Sequence, residues 1–354
     1  MTDVISRRQL LLSCIAGGLS ASKLSHGLVT QDTNDDARRL VTPEIRQTIE
    51  RSLQSLTSMQ HQDGSFGSGT VESHSIGVTA LVGLAYLAGG HTPGNGPYGE
   101  TVERITDFLV KNCDANGFIQ KSNSRTHGPM YGHGFAVTYL AEIYGMTERK
   151  NLKNCLDRSI KLILSSQNKE GGWRYQPKPS DADVSVTVCQ IMALRSGKNA
   201  GLYVPKETID NAVSYLKASQ NSDGGFRYQK GRQPESEFAR SAAALVGLNS
   251  AGIYEGKAIE DGLKFLARYR PGTKGPRHFQ IQNYFYGHYY AVQVMWHCAG
   301  DDWPLWYQSV SEEILSMKRD NGLWRDNIIC PEYSTAMACL VLEMPFNFLP
   351  IFQR

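Results

Sequence analysis

The chain lacks a long basic run, a C-x-x-C pair and, beyond its first residues, any uncharged apolar stretch of the roughly 18 residues a membrane span needs. Each absence excludes something. With 37 basic against 34 acidic residues and a net charge of +3, there is no footprint for nucleic acid, which is ruled out as a partner. Contact with a membrane surface stays open, but nothing after the N-terminal segment can cross one. The cysteines beyond that segment, Cys113, Cys155, Cys189, Cys298, Cys330 and Cys339, have no metal-site spacing. Cys189, Cys298 and Cys339 fall in apolar helical runs, so buried free thiols are expected and not a disulfide framework. What is present is ordinary globular composition: 354 residues, 41% hydrophobic and 20% charged, enough for a large core and incompatible with disorder or fibrous structure.

Residues 1–26 read as an export signal. Arg7-Arg8 stands just before an apolar stretch that runs to about Leu19 and ends in Ser20-Ala21-Ser22. The arginine pair points to the twin-arginine route and a periplasmic or extracytoplasmic location. Residues 27–41 are polar and aperiodic, a linker. The folded domain, 42–354, should open at Thr42-Pro43, an N-cap followed by proline in the first helical position.

Self-similarity decides the architecture. Gln60-x3-Gly64-x-Phe66, Gln167-x3-Gly171-x-Trp173 and Gln220-x3-Gly224-x-Phe226 share one template; Lys318-x3-Gly322-x-Trp324 keeps all but the glutamine, and Asn116-Gly117-Phe118 is a degraded copy. The second and third clear copies lie 53 residues apart and the first and second 107 apart, so the period is near 50. A further unit should fill residues 257–300, where Pro271 to Pro276 makes a looser turn. An amphipathic helix precedes each copy, as with Ile209, Ala212, Val213 and Leu216 at i, i+3, i+4 and i+7, and a more uniformly apolar helix follows it. Six such hairpins predict an outer ring of helices around an inner one. In this reading Phe66, Trp173, Phe226 and Trp324 wedge between units, the glycine permits the turn, and the glutamine satisfies free backbone groups at a helix end.

The Q-x3-G-x-W/F repeat, alternating with outer and inner helices over residues 42–345, resembles the squalene-hopene cyclase and protein prenyltransferase β-subunit superfamily. The resemblance implies an all-α fold, the α/α toroid. It also implies that chemistry sits at the mouth of a central cavity, near the starts of the inner helices. Those starts carry Glu72-Ser73-His74, Tyr131-Gly132-His133, Asp181-Ala182-Asp183, Glu235-Ser236-Glu237 with Arg240, Tyr286-Gly287-His288-Tyr289, and Glu332-Tyr333. Spacing suggests that His74, His133 and His288 hold equivalent positions. Capping alone would account for many of the acids, serines and histidines, though not for the tyrosines.

Class II terpene cyclases of this superfamily use D-x-D-D-T, whose middle aspartate protonates an alkene. Here Asp181-Ala182-Asp183-Val184-Ser185 puts Asp183 in the donor place but lacks the next acid, and an alternative register leaves Ser185 there. Prenyltransferases hold zinc through D-x-C and a distant histidine; Tyr286-Gly287-His288-Tyr289 and Tyr333-Ser334-Thr335 stand at those places, so that zinc site is absent and no metal or cofactor is expected. The candidate catalytic residues are therefore Asp183, His133 and His288. His74, Tyr131, Glu237, Arg240, Tyr286, Tyr289, Glu332 and Tyr333 are the candidate ligand contacts. An apolar, isoprenoid-like ligand is the expected partner. A carbohydrate-active enzyme using Tyr286, His288, Arg240 and Glu237, or a scaffold for peptides, stands beside that reading. A cavity apolar to the bottom would favour isoprenoids, and a cleft with paired carboxylates would favour sugars.

Overall fold

The computed structural model describes residues 37–353 except 122–127, 148, 233, 274, 276–279 and 326–328. The export segment and most of the linker lie outside the described residues. Among the described residues from Pro43 on there are twelve α-helices: α1 Pro43–Ser58, α2 Ile76–Ala88, α3 Gly99–Lys111, α4 Pro129–Tyr144, α5 Lys150–Ser166, α6 Val184–Asn199, α7 Lys206–Ala218, α8 Phe238–Ser250, α9 Lys257–Ala267, α10 Tyr284–Cys298, α11 Trp303–Ser316 and α12 Pro331–Leu342. Among the described residues there is no strand, only isolated bridges such as Phe66 to Ser75 and Trp173 to Asp183. The fold is an all-α toroid. Each even-numbered helix packs on the next even-numbered one, and α12 closes on α2.

Burial separates the rings as the periodicity requires. Every residue of α2 but Gly77 is buried, whereas only Ala212, Tyr215 and Leu216 of α7 are. Helix α1 starts as expected, with the Thr42 hydroxyl accepting from the Ile45 amide at 3.2 Å and Pro43 in the first turn. The preceding stretch is less free than its polar composition suggests: residues 37–39 are helical, Ala37 and Val41 are buried, and Arg38 lies 5.6 Å over the Phe348 ring.

The template turns are the joints of the ring. Gln60 Nε2 donates to the Gly64 carbonyl at 3.0 Å and to that of Thr101, in the next outer helix, at 3.1 Å. Gln167 does the same to Gly171 and Thr208, and Gln220 to Gly224 and Ala258. Each glutamine thus staples its own turn to the following repeat, each bond contributing about 1 kcal/mol net. The last turn meets the first helix: Lys318 Nζ donates to Thr48 Oγ1 at 3.0 Å, and Ser52 Oγ to the Gly322 carbonyl at 2.7 Å. Gly171 has φ +94°, and a Cβ there would stand 2.2 Å from the Asn211 carbonyl oxygen. The template aromatics Phe66, Trp173, Phe226 and Trp324 are fully buried, and the two indoles donate to Ile163 and Ile314 carbonyls at 2.7 Å.

The C-terminal tail turns back into the ring. Phe352 packs 6.3 Å from Tyr289, and Tyr289 packs 6.4 Å from Phe135. These edge-to-face contacts tie the tail to inner helices α4 and α10.

Candidate active site

A cavity of about 360 Å³ opens where α2, α4, α6, α10 and α12 begin. Its walls are Tyr131, Phe135, Tyr175, Tyr286 and Tyr333 with Ile76, Val78, Leu81, Ile119 and Ile329, and its polar groups include Glu72, Lys121, Ser185 and Asn283. Glycines let the helices meet at its edge: a Cβ on Gly77 would lie 3.3 Å from the Gly132 Cα. Tyr131, Tyr286 and Tyr333 are each the third residue of their helix, which is why three separate repeats aim a phenol at one space. Burial holds the Tyr131 and Tyr286 phenols well above the usual range, so both stay neutral donors. The Tyr286 hydroxyl is buried beside the polar groups of Ser185, Cys189 and Tyr290.

The other sequence-selected groups do not join them there. His133 and His288 lie two residues beyond Tyr131 and Tyr286, about 200° around the helix, and so face away from the cavity. There His133 Nδ1 accepts from the Ile119 amide at 3.2 Å. Hydroxyls make the same bond in other repeats: Thr79 to Phe66, Thr187 to Trp173, Ser241 to Phe226 and Thr335 to Trp324. His133 therefore docks a template turn onto its inner helix. His288 sits in the matching register, fully buried among Phe238, Tyr284 and Trp306, with neither ring nitrogen partnered among the described residues. Burial pushes the His133 pKa down to about 4 and that of His288 down to about 3.

His74 is not equivalent to either. It precedes the N-cap Ser75 at φ +55°, stacks on His61, and contacts Ser65 Oγ at 2.7 Å and Asp63 at 3.0 Å. Glu237 pairs with Arg240 at 2.5 Å, and Arg240 lies over the Tyr228 ring. Tyr289 meets Phe135 and Phe352 edge to face and does not line the cavity. Glu332 is buried and accepts from Ser68 Oγ at 2.9 Å, beside the cavity and outside its lining.

Asp183 is fully buried as the N-cap of α6, accepting from the Val186 amide at 2.9 Å and facing Arg174 Nη1 at 3.3 Å. Burial outweighs those partners and raises its pKa to about 6. Asp183 is not among the lining residues, whereas Ser185, two residues on, is, and the Asp183 charge acts on the Tyr131 phenol. Sequence reasoning missed Arg174 and Tyr175. Arg174 lies between the rings of Tyr175 and Tyr228, 4.4 and 5.2 Å from their centres, and the two phenols are hydrogen-bonded to each other. The signal was available: an Arg-Tyr pair follows the template aromatic in Trp173-Arg174-Tyr175 and again in Phe226-Arg227-Tyr228.

Residues 39–270 match the model of the prenyltransferase alpha-alpha toroid domain. The chain belongs to that family. A drimenyl diphosphate synthase from Streptomyces showdoensis is 28% identical over 214 residues, which is 57% of this chain and 37% of that protein. The chain thus spans little more than a third of that relative's length. A type II terpene cyclase from Scytonema has the same fold, with TM-score 0.60 at 14% identity over 86% of this chain and 98% of that one. So does an alpha-1,6-mannanase from Salegentibacter, with TM-score 0.62 at 11% identity over 85% and 99%. At these identities the likeness shows the toroid and nothing about activity.

Proposed function

We propose that this protein is a terpene-cyclase-like toroid that holds an apolar, isoprenoid-like ligand in the cavity at the starts of the inner helices. The observation that carries this reading is the cavity wall itself, five aromatic rings and a belt of Ile, Val and Leu with Glu72 as the single carboxylate among the described lining residues. A glycosidase needs two carboxyl groups flanking its bond, and a hydrocarbon chain needs the apolar wall that is present. The drimenyl diphosphate synthase relative supports the same ligand class.

Asp183 lies outside the lining, so a proton from it would reach a ligand only by relay through a lining residue such as Ser185. The raised pKa of Asp183 keeps part of the population protonated near pH 6, and Arg174 fixes its orientation. Tyrosine fluorescence titrated with farnesyl diphosphate, geranylgeranyl diphosphate and alpha-1,6-mannotriose tests the binding reading. Saturable binding of a prenyl compound is expected, weakened about tenfold or more in Tyr131→Ala and Tyr286→Ala; binding of the trisaccharide alone would overturn the assignment. Any prenyl product seen by mass spectrometry should vanish in Asp183→Asn with the fold intact, because asparagine retains the cap acceptor and has no acidic proton to give.

The export reading joins this proposal. Changing both Arg7 and Arg8 to lysine should retain the protein in the cytoplasm of its host, and undiminished export would refute the twin-arginine route.

A further inference from the structure

Repeat two lacks the stapling glutamine. Counted back from the turn glycine, Cys113 stands to Gly117 as Gln60 stands to Gly64. The facing position is substituted as well: the backbone nearest Gly64 is Arg104 and the acceptor Thr101, while the backbone nearest Gly117 is Arg158, which places Cys155 where Thr101 would be. The two sulfurs lie 4.0 and 3.9 Å from one hydroxyl, Ser159 Oγ, which itself donates to the Gly117 carbonyl at 2.8 Å. Arg158 Nη2 stands 3.6 Å from the Cys113 sulfur. Cys113 is partly exposed and Cys155 is buried.

We infer that Cys113 and Cys155 are a redox pair whose disulfide replaces, covalently, the glutamine staple between the second and third repeats. A small-molecule or protein disulfide is the oxidant. The Cys113 thiolate attacks one of its sulfurs, forming a mixed disulfide and releasing the first donor thiolate. Cys155, giving up its proton, then attacks the Cys113 sulfur and releases the second donor thiolate, which is protonated. Two protein thiols are oxidised and one donor disulfide is reduced to two thiols. The exposed residue is the entry point and the buried one resolves it. The hydrogen bond from Cys155, with help from Arg158, holds the Cys113 thiol below the ordinary range, which favours the first step. The segment so closed carries Ile119, Lys121, Tyr131 and Phe135 of the cavity wall, so oxidation also fixes that wall.

The full-length protein, equilibrated in a glutathione and glutathione disulfide buffer, alkylated and digested without reductant, provides the test by mass spectrometry. A peptide pair linked through Cys113 and Cys155 is expected, lost with dithiothreitol, together with a melting temperature about 5 °C higher in the oxidised form. Cys155→Ser should instead accumulate a glutathione adduct on Cys113, and Cys113→Gln should melt at a temperature indifferent to reductant. Full alkylation of both thiols after oxidation, or a stable glutathione adduct on Cys113 in the unaltered protein, overturns the inference.

Discussion

Gly171→Ala should cost at least about 4 kcal/mol, seen as a large fall in the urea midpoint, while Gly201→Ala should cost only about 1 kcal/mol. Both glycines have left-handed backbone, φ +94° and +88°, so the conformational cost of a side chain is common to the two. They differ in what the new methyl group meets. At Gly201 nothing lies within 4 Å, whereas at Gly171 the Asn211 carbonyl oxygen is 2.2 Å away and belongs to a helix that cannot retreat without opening the junction. Relief would require α5 and α7 to separate and the two Gln167 hydrogen bonds to break. Equal effects at the two sites would mean that backbone strain, and not the close approach, decides the turn.

Acid should unfold the protein well before its carboxylates alone would. His133 and His288 titrate near 4 and 3 in the folded state because burial disfavours their charge, against an unfolded value of about 6.5. The unfolded chain therefore binds more protons as pH falls below about 6.5, and stability is lost from there down through the folded values. Asp183 works the other way. Its folded pKa of about 6 lies above the unfolded value, so its contribution is favourable at low pH and is lost as pH rises through about 6, worth about 3 kcal/mol at most. The two histidines outweigh it, about 5 kcal/mol against about 2 kcal/mol over this range, and a net loss of about 3 kcal/mol between pH 6.5 and pH 4 is expected. Urea midpoints across that range check it. His288→Leu should flatten the acid limb, because its neighbours Phe238, Tyr284 and Trp306 ask nothing polar of the side chain; an unchanged limb would show that His288 does not drive it.

The ring was legible in the sequence because its joints repeat. The glutamine, the glycine and the aromatic residue recur because each turn must meet the next outer helix in the same way. The site was harder to read because the connection from template to inner helix varies: from Phe66 to Ser75, Trp173 to Asp183 and Phe226 to Glu237, each is one residue longer than the last. Counting from the template thus loses the helical register, and register decides direction. The histidines looked like rim groups because they neighbour the tyrosines in sequence, yet two residues along a helix is more than half a turn away. Asp183 was recognisable as a cap, but its place outside the cavity lining depends on how helices from different repeats meet. The equivalence of Cys113 with the stapling glutamines needed the carbonyl partners of the other three before it could be seen.

The contacts of Lys318 with Thr48 and of Ser52 with Gly322 give this repeat protein a property that open arrays lack. A solenoid ends in two exposed faces and needs special terminal units to cover them, whereas here the last turn docks on the first helix and neither face exists. The number of units is consequently fixed by curvature, and an added or deleted hairpin would leave the circle unable to shut. Shutting it joins residues 270 apart, against 41 for the staple from Gln60 to Thr101. The loop entropy is only about 1.7 kcal/mol greater, so neighbouring hairpins can assemble by short-range contacts and the seam between α11 and α1 is the natural last step. That seam is also where the circle would first reopen under load.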